Sequence, residues 1–205
     1  MSGTSETEIA EILKDLGIID KFLGTFDRRF NGFPHSFGRM ESTKTAIVNT
    51  GYREKGGVHW LALGWNPVTR VLHVFDPLGW RDDQLKRYYD GFTYSDMIRK
   101  TSGKPGCITV RRVGEAVQCS CSGACGLFCV LFLYCFDRNP SKPESYITLD
   151  KMKGEPPSVI SDKWQHLHRN QDLLYDFLYK NSNYFRRNYS NIVNNTRIGL
   201  MSVHQ

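Results

Sequence analysis

An α+β fold is predicted for this 205-residue chain by three patterns. Strand-like segments cluster between residues 45 and 76. One continuous apolar run, too long for a strand, begins near residue 125. The two ends of the chain carry helical spacing. The length fits one domain, here taken as residues 1–205. Hydrophobic residues make up 40% of the chain and aromatic residues 13%, enough to bury a core. No long segment has the low hydrophobicity and high charge of a disordered chain.

The first element is an N-terminal helix. Ser5-Glu-Thr-Glu8 fits a capping box, in which a Ser side chain and a Glu three residues on satisfy each other's exposed amides. Ile9, Ile12, Leu13 and Leu16 follow at helical spacing, and Gly17 supplies the stop. Thr45–Thr50, Val58–Trp65 and Val71–Asp76 have strand composition, with turn chemistry in Asn66-Pro-Val-Thr-Arg70 between the last two. Short helices are predicted around Asp83–Tyr89 and Tyr94–Lys100, and a strand at Ile108–Val113. A buried helix should run from Cys125 to Asp137 and end before Pro140. The tail from Asp162 is helical in pattern, with Leu173, Leu174, Phe177 and Leu178 on one face.

The apolar stretch Leu127–Phe136 is ten residues, against ~20 for a membrane span, so it reads as core. The polar, acidic start of the chain does not resemble a secretory signal, so an intracellular protein without a membrane segment is expected. Six cysteines stand at 107, 119, 121, 125, 129 and 135, five of them within 17 residues. With no export signal, reduced thiols are the default expectation. The net charge is +6 and the pI about 9.0. A basic balance favours polyanions through counterion release, but also simply solubilises a surface.

The candidate chemistry centres on Cys125, His59 and Asp76. A hairpin turn centred between Pro67 and Val68 would pair Gly64 with Val71, Trp60 with Phe75 and His59 with Asp76. Directly opposed residues have Cβ atoms about 4.5–5.5 Å apart, which suits an imidazole–carboxylate hydrogen bond. A satisfied strand histidine would show the same pattern, and Asp76-Pro-Leu-Gly79 is also an ordinary turn opening. Cys125 follows Ser122-Gly-Ala at a loop-to-helix junction. There the helix N-terminus favours a thiolate, and Gly123 and Gly126 leave room for a substrate backbone. A core cysteine at a helix start is the alternative, and it is the expectation for Cys129 and Cys135 inside the apolar run. Gln118 could donate to an oxyanion together with the Cys125 amide. A zinc site through Cys119, Cys121, Cys125 and Cys129, with His166 or His168, can also be drawn. Its continuous spacing is unlike the paired ligand sets of structural zinc, and no metal is expected.

Gly56-Gly-Val-His59-Trp, Asn66-Pro67, Phe75-Asp76-Pro77, Gln118 and Ala124-Cys125-Gly-Leu-Phe-Cys129 together resemble the adenovirus endopeptidase family, the adenains. Lys14-Asp-Leu-Gly17, Phe22-Leu-Gly-Thr-Phe-Asp27 and the tail around Arg169–Leu178 add to the likeness. The order His, acid, Gln, Cys is shared with SUMO-deconjugating proteases, and a ubiquitin-like-protein deconjugating protease is the alternative.

The resemblance implies a cysteine-proteinase-like α+β fold. Its central mixed or antiparallel sheet packs against the helix that carries the nucleophile at its N-terminus, with further helices at both ends. It implies a thiol endopeptidase with Cys125 as nucleophile, His59 as general base and acid, Asp76 as its orienting partner and Gln118 in the oxyanion hole. Implied substrates are virion precursor proteins, cut after Gly in Gly-x-Gly or Gly-Gly motifs. Implied activators are sequence-independent double-stranded DNA and a short peptide from the C-terminus of capsid precursor protein VI, joined by a disulfide to Cys107. A monomer acting in the virion and host nucleus is expected. Arg28-Arg29, Lys86-Arg87, Arg99-Lys100, Arg111-Arg112 and Arg186-Arg187 are the basic pairs available to DNA. Asp76 stands where mammalian members commonly carry Glu. Cys119 and Cys121 lie where the family gives no reason for cysteine, and are expected to be neutral or to oxidise with Cys125.

Overall fold

In a computed structural model, residues 3–32, 41–99, 109–157 and 164–197 are described. Helix α1 (Glu6–Asp15) opens the chain on the predicted capping box: Ser5 Oγ accepts from the Glu8 amide and Glu8 returns a carboxylate to the Ser5 amide. Then come β1 (Phe22–Phe26), β2 (Lys44–Asn49), β3 (Trp60–Asn66), β4 (Val71–Phe75), α2 (Asp82–Tyr88), α3 (Tyr94–Arg99) and β5 (Thr109–Arg112). Helix α4 (Cys125–Arg138) is followed by a short α5 (Ile147–Asp150). The chain closes with α6 (Trp164–Asn181), α7 (Asn183–Arg187) and α8 (Tyr189–Thr196).

The strands form one mixed sheet in the order β1-β2-β3-β4-β5, antiparallel at its centre and parallel at both outer pairs. Alternation sorts its side chains into two cores. Ile47, Trp60, Ala62 and Phe75 point toward α4, α1 and the C-terminal helices. Ala46, Val48, Leu61, Leu63, Trp65, Leu72 and Val74 point the other way, under α2 and α3. Helix α4 is apolar on all sides because it is wrapped on all sides, with eleven buried residues. Phe132 stacks on Phe75 with ring centroids 4.6 Å apart, which locks the helix to the sheet.

Three expectations change in the fold. The hairpin register differs by two residues: Val71 pairs with Asn66 and Gly64 with His73. The Asn66 side chain sets this, since its Oδ1 accepts from the amides of Val68 (3.0 Å) and Thr69 (3.3 Å) and centres the turn between those two residues. Phe22–Phe26 is a strand, which its composition did not announce. Leu173 is largely exposed, whereas Leu174 and Leu178 are buried.

Candidate active site

His59 immediately precedes β3, and Asp76 immediately follows β4. The two-residue register shift equals the side-chain period of a strand. It therefore leaves both residues on the same face, as diagonal rather than direct neighbours. His59 Nε2 lies 2.7 Å from Asp76 Oδ1, with His59 3% and Asp76 0% exposed.

Asp76 is held by more than the histidine. Its Oδ1 also accepts from the Leu78 amide (2.9 Å), and its Oδ2 accepts from the Trp80 amide (3.2 Å) and the Tyr94 hydroxyl (3.1 Å). The turn that brings those amides round depends on Gly79. Its φ is +65°, and a Cβ there would stand 2.5 Å from the Glu115 carbonyl carbon. Tyr94 is placed from α3, where its own amide donates to Asp82 Oδ1 at 2.7 Å. Tyr89, just past α2, stacks on the His59 ring with centroids 5.3 Å apart and planes 10° from parallel. Neither tyrosine was singled out from the sequence, because both reach the site across a long separation in the chain.

Cys125 begins α4 and is a free thiol, almost buried. With His59 Nε2 committed to Asp76, Nδ1 is the ring nitrogen left for the hydrogen bond between His59 and Cys125. Burial alone would push the imidazolium pKa down. The Asp76 carboxylate, and then the Cys125 sulfur, outweigh burial and hold it above the ordinary histidine range. The N-cap of α4, Ala124, has no side-chain acceptor, so no cap side chain claims the first-turn amides.

Gln118 lines the same cleft as His59 and Cys125, a space of about 390 Å³. Its amide hydrogen-bonds Pro77 O at 3.0 Å, and its Nε2 donates to Ser122 O at 2.7 Å. The structure thus brings His59, Gln118 and Cys125 to one cleft, with Asp76 buried behind His59. Cys107 lies outside the described residues.

The glycines beside Cys125 serve another purpose than expected. A Cβ on Gly126 would stand 2.7 Å from the Thr4 Cβ and 3.1 Å from the Trp60 ring, so this gap seats the protein's own N-terminal segment. Gly123 is likewise closest to Asn195 and Gly3.

The cysteines divide differently from the default of reduced thiols. Cys119 and Cys121 form a disulfide with each other, and Cys125 is not part of it. The loop turns back on itself there: the Cys121 amide donates to Cys119 Sγ (3.2 Å) and the Ser122 amide to Cys119 O (3.0 Å). Cys129 and Cys135 are core, as expected. Burial raises both thiol pKa values, that of Cys135 to about 12. The zinc set drawn through Cys125 and Cys129 is not assembled. Among the described residues, the soft donors that converge are Cys119, Cys121 and His168.

Several basic pairs also have internal partners. Arg29 bridges Asp27 and Glu54, and Arg28 donates to Asp90 O. Arg112 donates to Trp80 O and lies over the Tyr94 ring, behind the Asp76 pocket. Arg186 donates to Tyr179 O. Lys100 and the side chain of Arg99 lie outside the described residues.

No described helix is long and apolar enough to cross a membrane. A "Protease" of Snake adenovirus serotype 1 is 46% identical over 206 residues, covering 100% of both chains. A "Protease" of Bovine adenovirus 4 is 45% identical over the same full span. The solved ASFV pS273R protease aligns at 14% identity and a TM-score of 0.37, covering 82% of this chain and 66% of that one. The adenovirus endoprotease family model matches residues 22–200. With its cleft and these full-length relatives, the chain belongs to the adenovirus endoprotease family and is a viral cysteine protease.

Proposed function

We propose that this protease cleaves virion precursor proteins after glycine, at Gly-x-Gly or Gly-Gly motifs, with Cys125, His59, Asp76 and Gln118 as its working residues. The observation that carries the assignment is the buried His59–Asp76 pair reaching Cys125 at an uncapped helix N-terminus. The imidazolium holds the sulfur as thiolate, which attacks the scissile carbonyl carbon. Charge then develops on the carbonyl oxygen, where the Cys125 amide and a Gln118 N–H donate. His59 gives its proton to the leaving amine, and afterwards activates the water that releases the acyl group. Asp76 keeps the ring in the productive orientation throughout.

In this reading residues 1–205 act as one catalytic domain and as a monomer, in the virion and the host nucleus. Double-stranded DNA and a short peptide from capsid precursor protein VI stimulate it, the peptide through a disulfide to Cys107. The net charge of +6 and the family resemblance support the DNA part, and binding of this kind weakens steeply with salt. No metal takes part in the chemistry.

The test is hydrolysis of Gly-x-Gly and Gly-Gly peptides by parent and Cys125→Ala enzyme, with and without DNA and peptide. The parent should turn over, faster with both activators. The Ala variant should lose at least about 10⁴-fold in kcat, the scale of removing a nucleophile. Equal activity in Cys125→Ala would overturn the assignment. Cleavage confined to folded ubiquitin-like substrates would replace it with a deconjugating protease.

A further inference from the structure

The loop between Gln118 and Cys125 holds a second group of reactive side chains that the catalytic machinery does not use. One donor atom each from Cys119, Cys121 and His168 lies within 4.8 Å of the other two. His168 projects from α6, and its Nε2 is 3.3 Å from Cys121 Sγ. Cys119 is buried, while Cys121 and His168 are half-buried. The three come from the two sides of one seam, the loop and α6.

That seam is fastened independently of the sulfurs. Asn170, two residues beyond His168, donates from Nδ2 to Val117 O at 3.0 Å. The Gln118 amide is held by Pro77 O at 3.0 Å and the Gly123 amide by Thr196 O at 2.8 Å. The backbone therefore brings both cysteines to His168 whether or not the sulfurs are bonded to each other. Two thiols and an imidazole converging on one point form the donor set that soft and borderline divalent cations select.

We propose that, with Cys119 and Cys121 reduced, these two thiolates and His168 Nε2 bind one zinc-like divalent cation, whose fourth position is left to water. Binding releases the two thiol protons. Oxidation releases the cation, since the same sulfurs serve either the metal or the disulfide. With a small-molecule disulfide as oxidant, the two thiolates give up two electrons to form the Cys119–Cys121 bond. The added disulfide accepts those electrons and two protons to become two thiols. Cys125 and His59 are not ligands in this arrangement.

The experiment uses full-length Cys125→Ser protein, so that the nucleophile cannot itself capture metal. Reduced with a phosphine, it should bind one equivalent of Co²⁺, with thiolate-to-cobalt charge-transfer absorption and tetrahedral d–d bands. Zn²⁺ should displace the cobalt. Added oxidised glutathione should release the ion as two protein thiols disappear and two glutathione thiols form. In the same background, Cys119→Ser/Cys121→Ser should abolish the charge-transfer band. His168→Gln should weaken binding at least about tenfold, the scale that even outer-shell partners carry in metal sites. The proposal is overturned by absence of the band at one equivalent, by its survival in the double Ser variant, or by unchanged affinity in His168→Gln. If a variant does not fold, the unsubstituted loop decides alone: equal cobalt affinity before and after oxidation refutes the site.

Discussion

Replacing Asp76 with Asn tests the assembled site most sharply, because it keeps the shape and removes the charge. Asp76 accepts four hydrogen bonds: Oδ1 from His59 Nε2 and Leu78 N, Oδ2 from Trp80 N and Tyr94 Oη. An amide has one oxygen to offer. With its oxygen at the Oδ1 position, the NH₂ faces the Trp80 amide and that buried donor loses its acceptor; Tyr94 can fall back on Trp80 O at 3.3 Å. With the amide reversed, the Leu78 amide is orphaned instead, and His59 must accept at Nε2. Its proton then sits on Nδ1, the tautomer that cannot act as base toward Cys125. Either orientation costs ~1–3 kcal/mol of stability for the unsatisfied donor. At ~2–4 °C per kcal/mol for a chain of this size, Tm should fall measurably.

The kinetic loss should be larger. A triad carboxylate changed to its amide lowers turnover by up to ~10⁴-fold when the tautomer is wrong. A range of ~10²–10⁴ corresponds to ~2.7–5.4 kcal/mol of transition-state stabilisation. The pH profile separates this from mere unfolding. In the proposed mechanism activity needs the imidazolium, so it should decline as pH rises through the His59 pKa. Burial lowers that pKa, but Asp76, the larger of the two raising partners, lifts it above the ordinary histidine range. The parent's alkaline limb therefore lies above that range, and Asp76→Asn should move it down. Initial rates on a Gly-Gly peptide, measured across pH with both activators present, give both quantities. A variant with parental kcat/KM and an unmoved alkaline limb would refute the assigned role of Asp76.

Other consequences follow from single positions. Gly79→Ala places a Cβ against the Glu115 carbonyl at a φ of +65°, and should cost about 2–4 kcal/mol. Because the Gly79 amide also donates to Asp76 O, kcat/KM should fall beyond what the unfolded fraction explains; a parental Tm would contradict this. His73 is buried against Phe136, and burial, then Arg111, depress its pKa from 6.5 to about 4. The unfolded chain takes up that proton first as pH falls. Stability is thus lost progressively below pH 6.5 and the loss is complete below about 4. His73→Phe should flatten the urea midpoint over that interval, and an unchanged acid-side slope would show that His73 is not responsible.

Much of the fold was legible because its strongest signals are local. The capping box at Ser5 and Glu8, the ten-residue apolar run and the strand composition of β2 to β4 each need only neighbouring residues to be recognised. Strand β1 was not legible. Its five residues are all half-buried, Gly24 interrupts them at φ +128°, and the pairing to β2 is irregular, so no period of two appears. The hairpin was foreseen but misregistered, because the side-chain turn at Asn66 centres the connection between Val68 and Thr69 rather than between Pro67 and Val68. The His59–Asp76 contact survived because the shift was an even number; an odd shift would have put the two on opposite faces. Tyr89 and Tyr94 could not be found this way, since their place beside His59 and Asp76 depends on how α2 and α3 pack under the sheet. The Cys119–Cys121 pairing was equally hidden. Closely spaced cysteines allow several partners, and only the backbone path of the loop selects one.

The surroundings of Cys125 explain why so much of the chain is needed for one thiol. A helix N-terminus that meets a substrate carbonyl must keep its first amides uncapped, which removes the usual support of that end. Here support comes from elsewhere. Thr4 packs into the gap at Gly126, and Thr4 O accepts the Trp60 Nε1 hydrogen bond at 2.9 Å. The Gly3 amide donates to Asn195 O at 3.1 Å, and Thr196 O accepts from Gly123 N at 2.8 Å and Ser122 Oγ at 3.3 Å. Thr196 is itself held through its Oγ1, which meets the Tyr175 hydroxyl at 2.6 Å. The segment before α1 and the end of α8 thus clamp the loop between Gln118 and Cys125 from both sides. Donors that must already point at a developing oxyanion gain most from such bracing, because no reorganisation then remains for the reaction itself. The gaps left by Gly123 and Gly126 let the protein close around its own loop, while His59, Tyr89 and Gln118 line the cleft beside Cys125.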